Sequence, residues 1–418
     1  MNKRFAAIVS TLALLTGRPA SAETLAEAIA AAYQSNPGLA AARARQAALA
    51  ETTEQARAAG RPTASVEGGP SYDRTAYGKT ASVTLNAALP IWTGGRVSSA
   101  VRAASGDVAA GEEGLRDTEA TILQAVVTAY AALLYNQQAV EVARVGIERL
   151  DNQVAEARSR FDLGQATRTD VAQLEAQRAT VFANLADAEG ALATASAAYR
   201  AVVGHDALAL SQDVPVPPGL PKSEDEARDA ARDAAPLLLR QQHVVEASDA
   251  RIDEARAAGY PSLDLSGAYG QGGQWASGDI RGLNIAASVG LTLKMPILTG
   301  GLVPSRVRQA EATALAERFQ YAASEREAVR ASDAAWAALT AAKRRLDANI
   351  AGLAAADTAL KGVRAEYGFG LRSTIDILVA DQSFRTAQLS VALARADVLN
   401  AQAAVLRAVG RLGPAAYF

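Results

Sequence analysis

The chain of 418 residues contains no cysteine. That absence excludes disulfides, thiolate metal sites, cysteine nucleophiles and a lipid carried on an N-terminal cysteine. Histidine is almost missing as well: His205 and His243 are the only two, in no metal-ligand spacing. Aromatic residues make up 5% of a chain that is 50% hydrophobic. Alanine supplies much of the difference, which suits helices packed closely around a thin wall better than a thick globular core. No block of basic residues occurs and the net charge is only −2, so nothing suggests nucleic-acid binding. Walker loops, nucleophile elbows and zinc-protease motifs are also lacking. The sequence therefore points to no enzyme, no metal and no cofactor. The glycines of YGQGGQW at 269–275 precede no helix carrying a lysine and a hydroxyl, and they read as a flexible exterior loop.

At the N-terminus, Lys3 and Arg4 precede an apolar run from Phe5 to Leu15, followed by Ala20-Ser21-Ala22. This order of charge, apolar run and small residues reads as a secretory signal peptide over residues 1–22, because the run is too short to span a bilayer. The segment carries Lys3, Arg4, Arg18 and no acid, so its removal takes the net charge from −2 to −5. Beyond it, continuous apolar runs fall short of the ~20 residues of a membrane helix, so a membrane-embedded part would be built of strands.

The organising feature is a duplication. PIWTGGRVSSAVRAA at 90–104 and PILTGGLVPSRVRQA at 296–310 share ten of fifteen residues at an offset of 206. RSRFDLGQATRTDV at 158–171 aligns with RAEYGFGLRSTIDI at 364–377 at the same offset, while ARAAGRP at 56–62 matches ARAAGYP at 255–261 at an offset of 199. The slip of seven falls between the matched blocks, where loop length can vary. The chain thus divides into a first repeat (23–204), a proline-rich connector (205–222), a second repeat (223–412) and a short tail (413–418). Each repeat reads as a helix (Thr24 to Ala59; Glu224 to Ala258), two strands, the Pro-Ile-x-Thr-Gly-Gly junction, a very long helix and a return helix.

In NIAASVGLTLKMP at 284–296, Ile285, Ala287, Val289, Leu291, Leu293 and Met295 share one face and polar or small residues the other. SVTLNAALP at 82–90 repeats this period of two. A strand of about ten residues can cross a hydrocarbon core when tilted, yet the same pattern also fits a soluble hairpin. If the strands enter lipid, four cannot close a barrel and several chains must pool them, with the segments Arg74 to Lys79 and Gly270 to Arg281 outside. The helical stretches Val97 to Arg160 and Val303 to Arg364 would each be on the order of 100 Å long. Such lengths call for coiled-coil pairing with return helices at Asp170 to Val203 and Ile375 to Leu412. One apolar stripe per helix would make a bundle and two a hollow cylinder, and periodicity leaves both open. At the junctions, Pro90 and Pro296 would end strand pairing, while Gly94, Gly95, Gly300 and Gly301 would allow the turn into a helix.

These features resemble the TolC-like outer membrane efflux proteins. The likeness rests on the duplication, the two junctions, the opening ETLAEAIAAAYQSNPGLAAARA, and the turns FDLGQATRTDV and YGFGLRSTIDIL. The opening is closest to members serving type I secretion. The resemblance implies a mainly α chain with a membrane β-barrel: a homotrimer with four strands per chain in a twelve-stranded outer membrane barrel, continuous with a long α-helical periplasmic tunnel. It also implies a periplasmic adaptor, an inner-membrane ABC or proton-driven pump, and secreted proteins or small toxic compounds as cargo. Carried over residue by residue, it makes Thr169, Asp170, Tyr367 and Arg372 the links that hold the tunnel mouth shut, and Asp376 an acidic constriction ring. The family's second acidic position is Val379 here, with Asp381 two residues on. On the residues alone, Asp170 and Asp376 equally suit the first turns of helices as N-terminal acids. The competing reading of the whole chain is a periplasmic coiled-coil adaptor or scaffold without a barrel.

Overall fold

The computed structural model describes residues 22–74, 78–207, 209–276 and 279–417. All of the expected signal peptide except Ala22 lies outside the described residues.

Each repeat builds the same series of elements. The first consists of α1 (Leu25–Ser35), α2 (Pro37–Ala58), β1 (Thr63–Asp73), β2 (Gly78–Trp92), α3 (Arg96–Asp162) and α4 (Arg168–Val203). The second consists of α5 (Glu224–Ala234), α6 (Pro236–Ala257), β3 (Ser262–Ala276), β4 (Asp279–Lys294), α7 (Leu302–Gly368) and α8 (Thr374–Ala408). A short 3-10 turn at Pro414–Tyr417 follows. The four strands form one antiparallel sheet in the order β1-β2-β3-β4. Helices α3 and α7 are each 67 residues long, which at 1.5 Å per residue makes both on the order of 100 Å.

Several boundaries differ from the sequence reading. The single helices expected at Thr24 to Ala59 and Glu224 to Ala258 are each broken, at Asn36 and at Ala235. Both residues precede a proline and take extended backbone, with ψ of 118° and 120°, because the proline ring crowds a helical residue before it. Asn36 also caps α2, its Oδ1 accepting from the Gly38 and Leu39 amides. The exterior loop expected at Gly270 to Arg281 is mostly strand: β3 runs to Ala276 and β4 starts at Asp279. Its glycines are held in pairing with both neighbours, as in Thr84↔Gly270 and Gly270↔Ala286. Pro90 does not end β2, which continues to Trp92 across a register irregularity. Helix α8 stops at Ala408, short of Leu412. Windows within α3 and α8 are long and apolar enough on average to cross a bilayer by composition, though polar residues interrupt them, and these helices pack on one another and on their neighbours.

The main core lies at mid-height, where α1, α3, α4, α8 and the connector meet. Leu25, Ile29, Leu123, Val126, Tyr130, Leu133, Tyr199, Val203 and Leu406 are buried there. Tyr130 donates to the backbone carbonyls of Ser211 (2.8 Å) and Glu23 (3.0 Å), tying the start of the described chain to the connector. Burial raises its phenol to about 12, so it remains a donor. Its counterpart in the second repeat, Trp336, packs on Ala227, Ala230 and Val409.

Close helix contacts depend on small residues. A Cβ at Gly106 of α3 would stand 2.9 Å from the Cβ of Ala247 on α6 and 3.1 Å from its backbone nitrogen. The alanine-rich composition therefore has a geometric meaning: backbones approach where side chains are nearly absent.

Candidate functional site

Two ends of the molecule carry features that a soluble domain would hide. At the sheet end, Val83, Leu85, Ile285, Val289, Leu291, Leu293 and Met295 are all exposed, Val289 at 82%. An apolar sheet face of this extent needs a non-aqueous neighbour, and its alternation with Ser288, Gly290, Thr292 and Lys294 is that of a strand between lipid and an aqueous lumen. The junctions join this sheet to the long helices. Gly94 and Gly95 have φ of +63° and +86°, Gly300 and Gly301 of +56° and +81°, backbone that residues with a Cβ resist. Gly95 and Gly301 are the N-terminal caps of α3 and α7, so the change from strand to helix takes place on the glycine pairs.

At the opposite end of the long helices lie the turns α3–α4 and α7–α8. Thr167 and Asp170 form a capping box: the Thr167 hydroxyl donates to Asp170 Oδ2 (2.7 Å), the Thr167 amide donates to the same oxygen (2.9 Å), and the Asp170 amide donates to Thr167 Oγ1. Ser373 and Asp376 repeat the box at the start of α8, with amide and hydroxyl bonds of 2.9 and 2.8 Å to Asp376 Oδ2. Both carboxyls are held below their ordinary range. For Asp170 the first cause is the Thr167 hydroxyl, with a smaller contribution from the Thr374 side chain of the other hairpin. For Asp376 it is the Ser373 amide. Because the folded values lie below the unfolded ones, this stabilisation is complete above the ordinary carboxylate range and is lost as pH falls through the folded values. Acidification through that window should therefore fray the first turns of α4 and α8. Hydrogen exchange at the Asp170 and Asp376 amides reads this, and protection unchanged at low pH would refute it.

The expected bonds from Tyr367 and Arg372 to Asp170 are not made within the chain. Arg372 Nε donates to Glu366 Oε2 at 2.7 Å, and the Arg160 guanidinium lies over the Tyr367 ring, 5.1 Å from its centroid. Asp170 is occupied locally because a threonine three residues before it forms a capping box first. Thr169 sits in the first turn of α4, exposed. The two hairpins still meet here, through Arg160 on Tyr367 and through Asp170 near Thr374.

A stronger connection lies further along the same helices. Asp381 of α8 is 1% exposed, with Arg385 Nε 2.9 Å from its Oδ2, and with Arg364 Nη2 at 3.4 Å and Arg149 Nη1 at 3.8 Å from its Oδ1. One buried carboxylate thus gathers cations from α3, α7 and α8. Asp381, two residues beyond Val379, is thus buried in an ion-pair cluster, while Val379 itself is exposed. Gly146 makes room for the cluster, since a Cβ there would stand 3.1 Å from Arg385 Cδ. On the same helices, Leu150, Val154, Leu174, Val181 and Leu378 form a buried apolar cluster that joins α3, α4 and α8. One local signal could have pointed to part of the ion-pair cluster, the Asp381/Arg385 spacing of four on a helix.

The profile of the family described as "Outer membrane efflux protein" matches residues 28–205 and 227–411, one block in each repeat. The chain belongs to the outer membrane efflux protein family. Family membership and the lipid-suited sheet place it in the outer membrane, as a channel component of tripartite efflux systems. It is 32% identical to the outer membrane efflux protein BepC of Brucella suis biovar 1 (strain 1330), over 97% of this chain and 90% of that protein. It is 26% identical to the outer membrane protein TolC of Vibrio cholerae serotype O1, over 94% of this chain and 91% of that one. Crystal structures of CusC, described as showing conformational changes that accompany folding and transmembrane channel formation, superpose with a TM-score of 0.78 at 19% identity, covering 92% of each chain. At that identity the likeness concerns the fold.

Proposed function

We propose that three copies of this efflux protein form an export duct, pooling their strands into a twelve-stranded barrel and their helices into a periplasmic tunnel. The observation that carries this reading is the sheet: four strands with two unpaired edges and an exposed apolar face. Lipid tolerates such edges only when they are closed by further strands. The duct receives cargo from an inner-membrane pump through a periplasmic adaptor. Energy comes from those partners, because the sequence has no nucleotide-binding motif. Its cargo is secreted protein, small toxic compounds, or both. Deleting the gene and assaying secreted protein and drug susceptibility in parallel tests this, and a deletion that changes neither would refute export. A soluble scaffold would extract without detergent, whereas the duct fractionates with outer membranes and runs as an oligomer until heated.

The mouth of the duct lies at the hairpin turns. Three copies of Asp376 converge there as a ring that favours cations. Arg372 exchanges its Glu366 contact for Asp170 of the adjacent copy, and Tyr367 and Thr169 support that restraint. Charge-assisted bonds of this kind are strong yet open to a competing partner. Replacing Tyr367 with Phe together with Arg372→Ser should raise single-channel conductance in planar bilayers, and unchanged conductance would sink this assignment.

A further inference from the structure

The two repeats superimpose in their strand pairing. β1 pairs with β2 through Thr63↔Ala88, and β3 with β4 through Ser262↔Lys294. Adding 199 to the β1 residue and 206 to the β2 residue converts the first pair into the second. The same shifts turn Ala64↔Ala87 into Leu263↔Leu293, and Gly69↔Ser82 into Ala268↔Ser288. The repeat symmetry is therefore kept at the level of single ladder partners. The β2–β3 seam is the strand ladder in which repeat meets repeat inside the chain, and it is the template for a seam the chain cannot make alone, between β4 and the β1 of another copy.

Applying the shifts to the β2–β3 partners gives that missing register. Ala88↔Ser266, Leu85↔Tyr269, Val83↔Gln271 and Leu89↔Leu265 become Lys294↔Glu67, Leu291↔Pro70, Val289↔Tyr72 and Met295↔Val66. We infer that three copies of this chain close their barrel in this register, with Lys294 of each directly opposite Glu67 of the next. The inference rests on the trimeric duct reading and deepens it to single residues.

Three observations not used to obtain the register agree with it. Glu67 and Lys294 are both exposed. Within the chain they stand opposite uncharged residues, Thr84 and Ser262, and neither has an ion-pair partner among the described residues. Opposite charges directly across a ladder support the pairing, and like charges would oppose it. Second, the register keeps the faces matched: Thr292 meets Gly69 and Gly290 meets Ser71 on the polar side, while Val289 meets Tyr72 and Met295 meets Val66 on the apolar side. A slip of one residue would set every apolar residue against a polar one. Third, the junctions differ as the symmetry requires. A Cβ on Gly94 would meet Tyr260 Cβ at 2.8 Å and the Pro261 carbonyl at 3.0 Å, whereas Gly300 has nothing within 4 Å. Ile91 and Trp92 are 53% and 50% exposed, and their counterparts Ile297 and Leu298 are 92% and 91% exposed. The space over Gly300 is filled by the turn Arg61-Pro62 of the adjacent copy, the equivalent of Tyr260-Pro261.

The cysteine-free chain allows a direct test in outer membranes. Glu67→Cys combined with Lys294→Cys, and separately Ser71→Cys with Gly290→Cys, are oxidised with copper phenanthroline and run on denaturing, non-reducing gels. In-register partners lie within the Cα separation a disulfide needs, and partners two residues out of register lie beyond the usual range. Most of the monomer should move into dimer and trimer bands for both pairs, with none for the single variants or for Glu67→Cys with Thr292→Cys. Unheated gels check that the variants are assembled. Assembled trimers that stay uncrosslinked at both pairs, or that crosslink at the shifted pair instead, overturn the register while leaving the duct intact. If the unaltered protein extracts without detergent as a monomer, the duct reading itself fails and this inference with it.

Discussion

Replacing Asp381 with asparagine should destabilise the assembled protein by about 3–5 kcal/mol, the usual cost of breaking a buried ion pair from one side. The carboxylate is 1% exposed and Arg385 is 11% exposed, so the arginine cannot recover its hydration without dragging α8 out of place. Three guanidinium groups would then converge on a neutral amide, adding like-charge repulsion to the loss. Arg149→Gln is the contrasting case. That side chain is 36% exposed and 3.8 Å away, so solvent already screens it, and its loss should stay within about 1 kcal/mol. The measurement is the temperature at which oligomers dissociate in detergent. A lowered temperature for Asp381→Asn with Arg149→Gln near the unaltered protein is expected. Equal temperatures for all three would show that the cluster ties nothing together. Because Asp381 joins α8 to α3 and α7, its loss should also raise conductance, by letting the second hairpin move away from the first.

Gly410→Ala should be comparably severe for a different reason. Gly410 ends α8 with φ of +68°, in a left-handed conformation closed by Arg411 N–H donating to the Leu406 carbonyl at 2.8 Å. That conformation costs a residue with a Cβ about 1–2 kcal/mol. A Cβ would also overlap the Ala234 carbonyl oxygen and sit 3.2 Å from Pro236 Cδ. These are parts of the α5–α6 kink and cannot swing aside, so overpacking adds about 1–3 kcal/mol. Gly413, three residues on, has open space around it, and Gly413→Ala should lie within about 0.5 kcal/mol of the unaltered protein. Gly410→Ala that dissociates at the same temperature as Gly413→Ala would disprove the close approach.

What could be read from the residues divides along physical lines. The strands and long helices were legible because each is a local periodicity repeated twice, and two copies of a weak signal reinforce one another. Asn36 and Ala235 were passed over because a helical pattern continues on both sides of each break, and one proline was outweighed by some thirty periodic residues. The glycines of β3 misled for the converse reason: composition suggested a loop, but pairing with β2 and β4 holds the backbone extended whatever its side chains. At the turns, the family pattern singled out Asp170 and Asp376 as gate and ring residues, while the partners they have within the chain follow from hydroxyls three residues earlier, as N-terminal acids of α4 and α8. The Asp381 cluster was least legible, since its cations come from residues 149, 364 and 385 on three helices, and no window of sequence contains them together.

The seven residues by which the two offsets differ all belong to the second hairpin. β3 and β4 have 15 and 16 residues, against 11 and 15 for β1 and β2. Under the repeat shifts β3 runs four residues past the equivalent of Asp73 and β4 starts five before the equivalent of Gly78, which at about 3.3 Å each lift that hairpin on the order of 10 Å beyond its neighbour. In the proposed three-copy duct, this difference would make the rim crenellated, with three tall hairpins alternating with three short ones. With the hairpins facing outward, as that proposal has them, whatever approaches from outside would meet the longer β3–β4 arms before the β1–β2 arms.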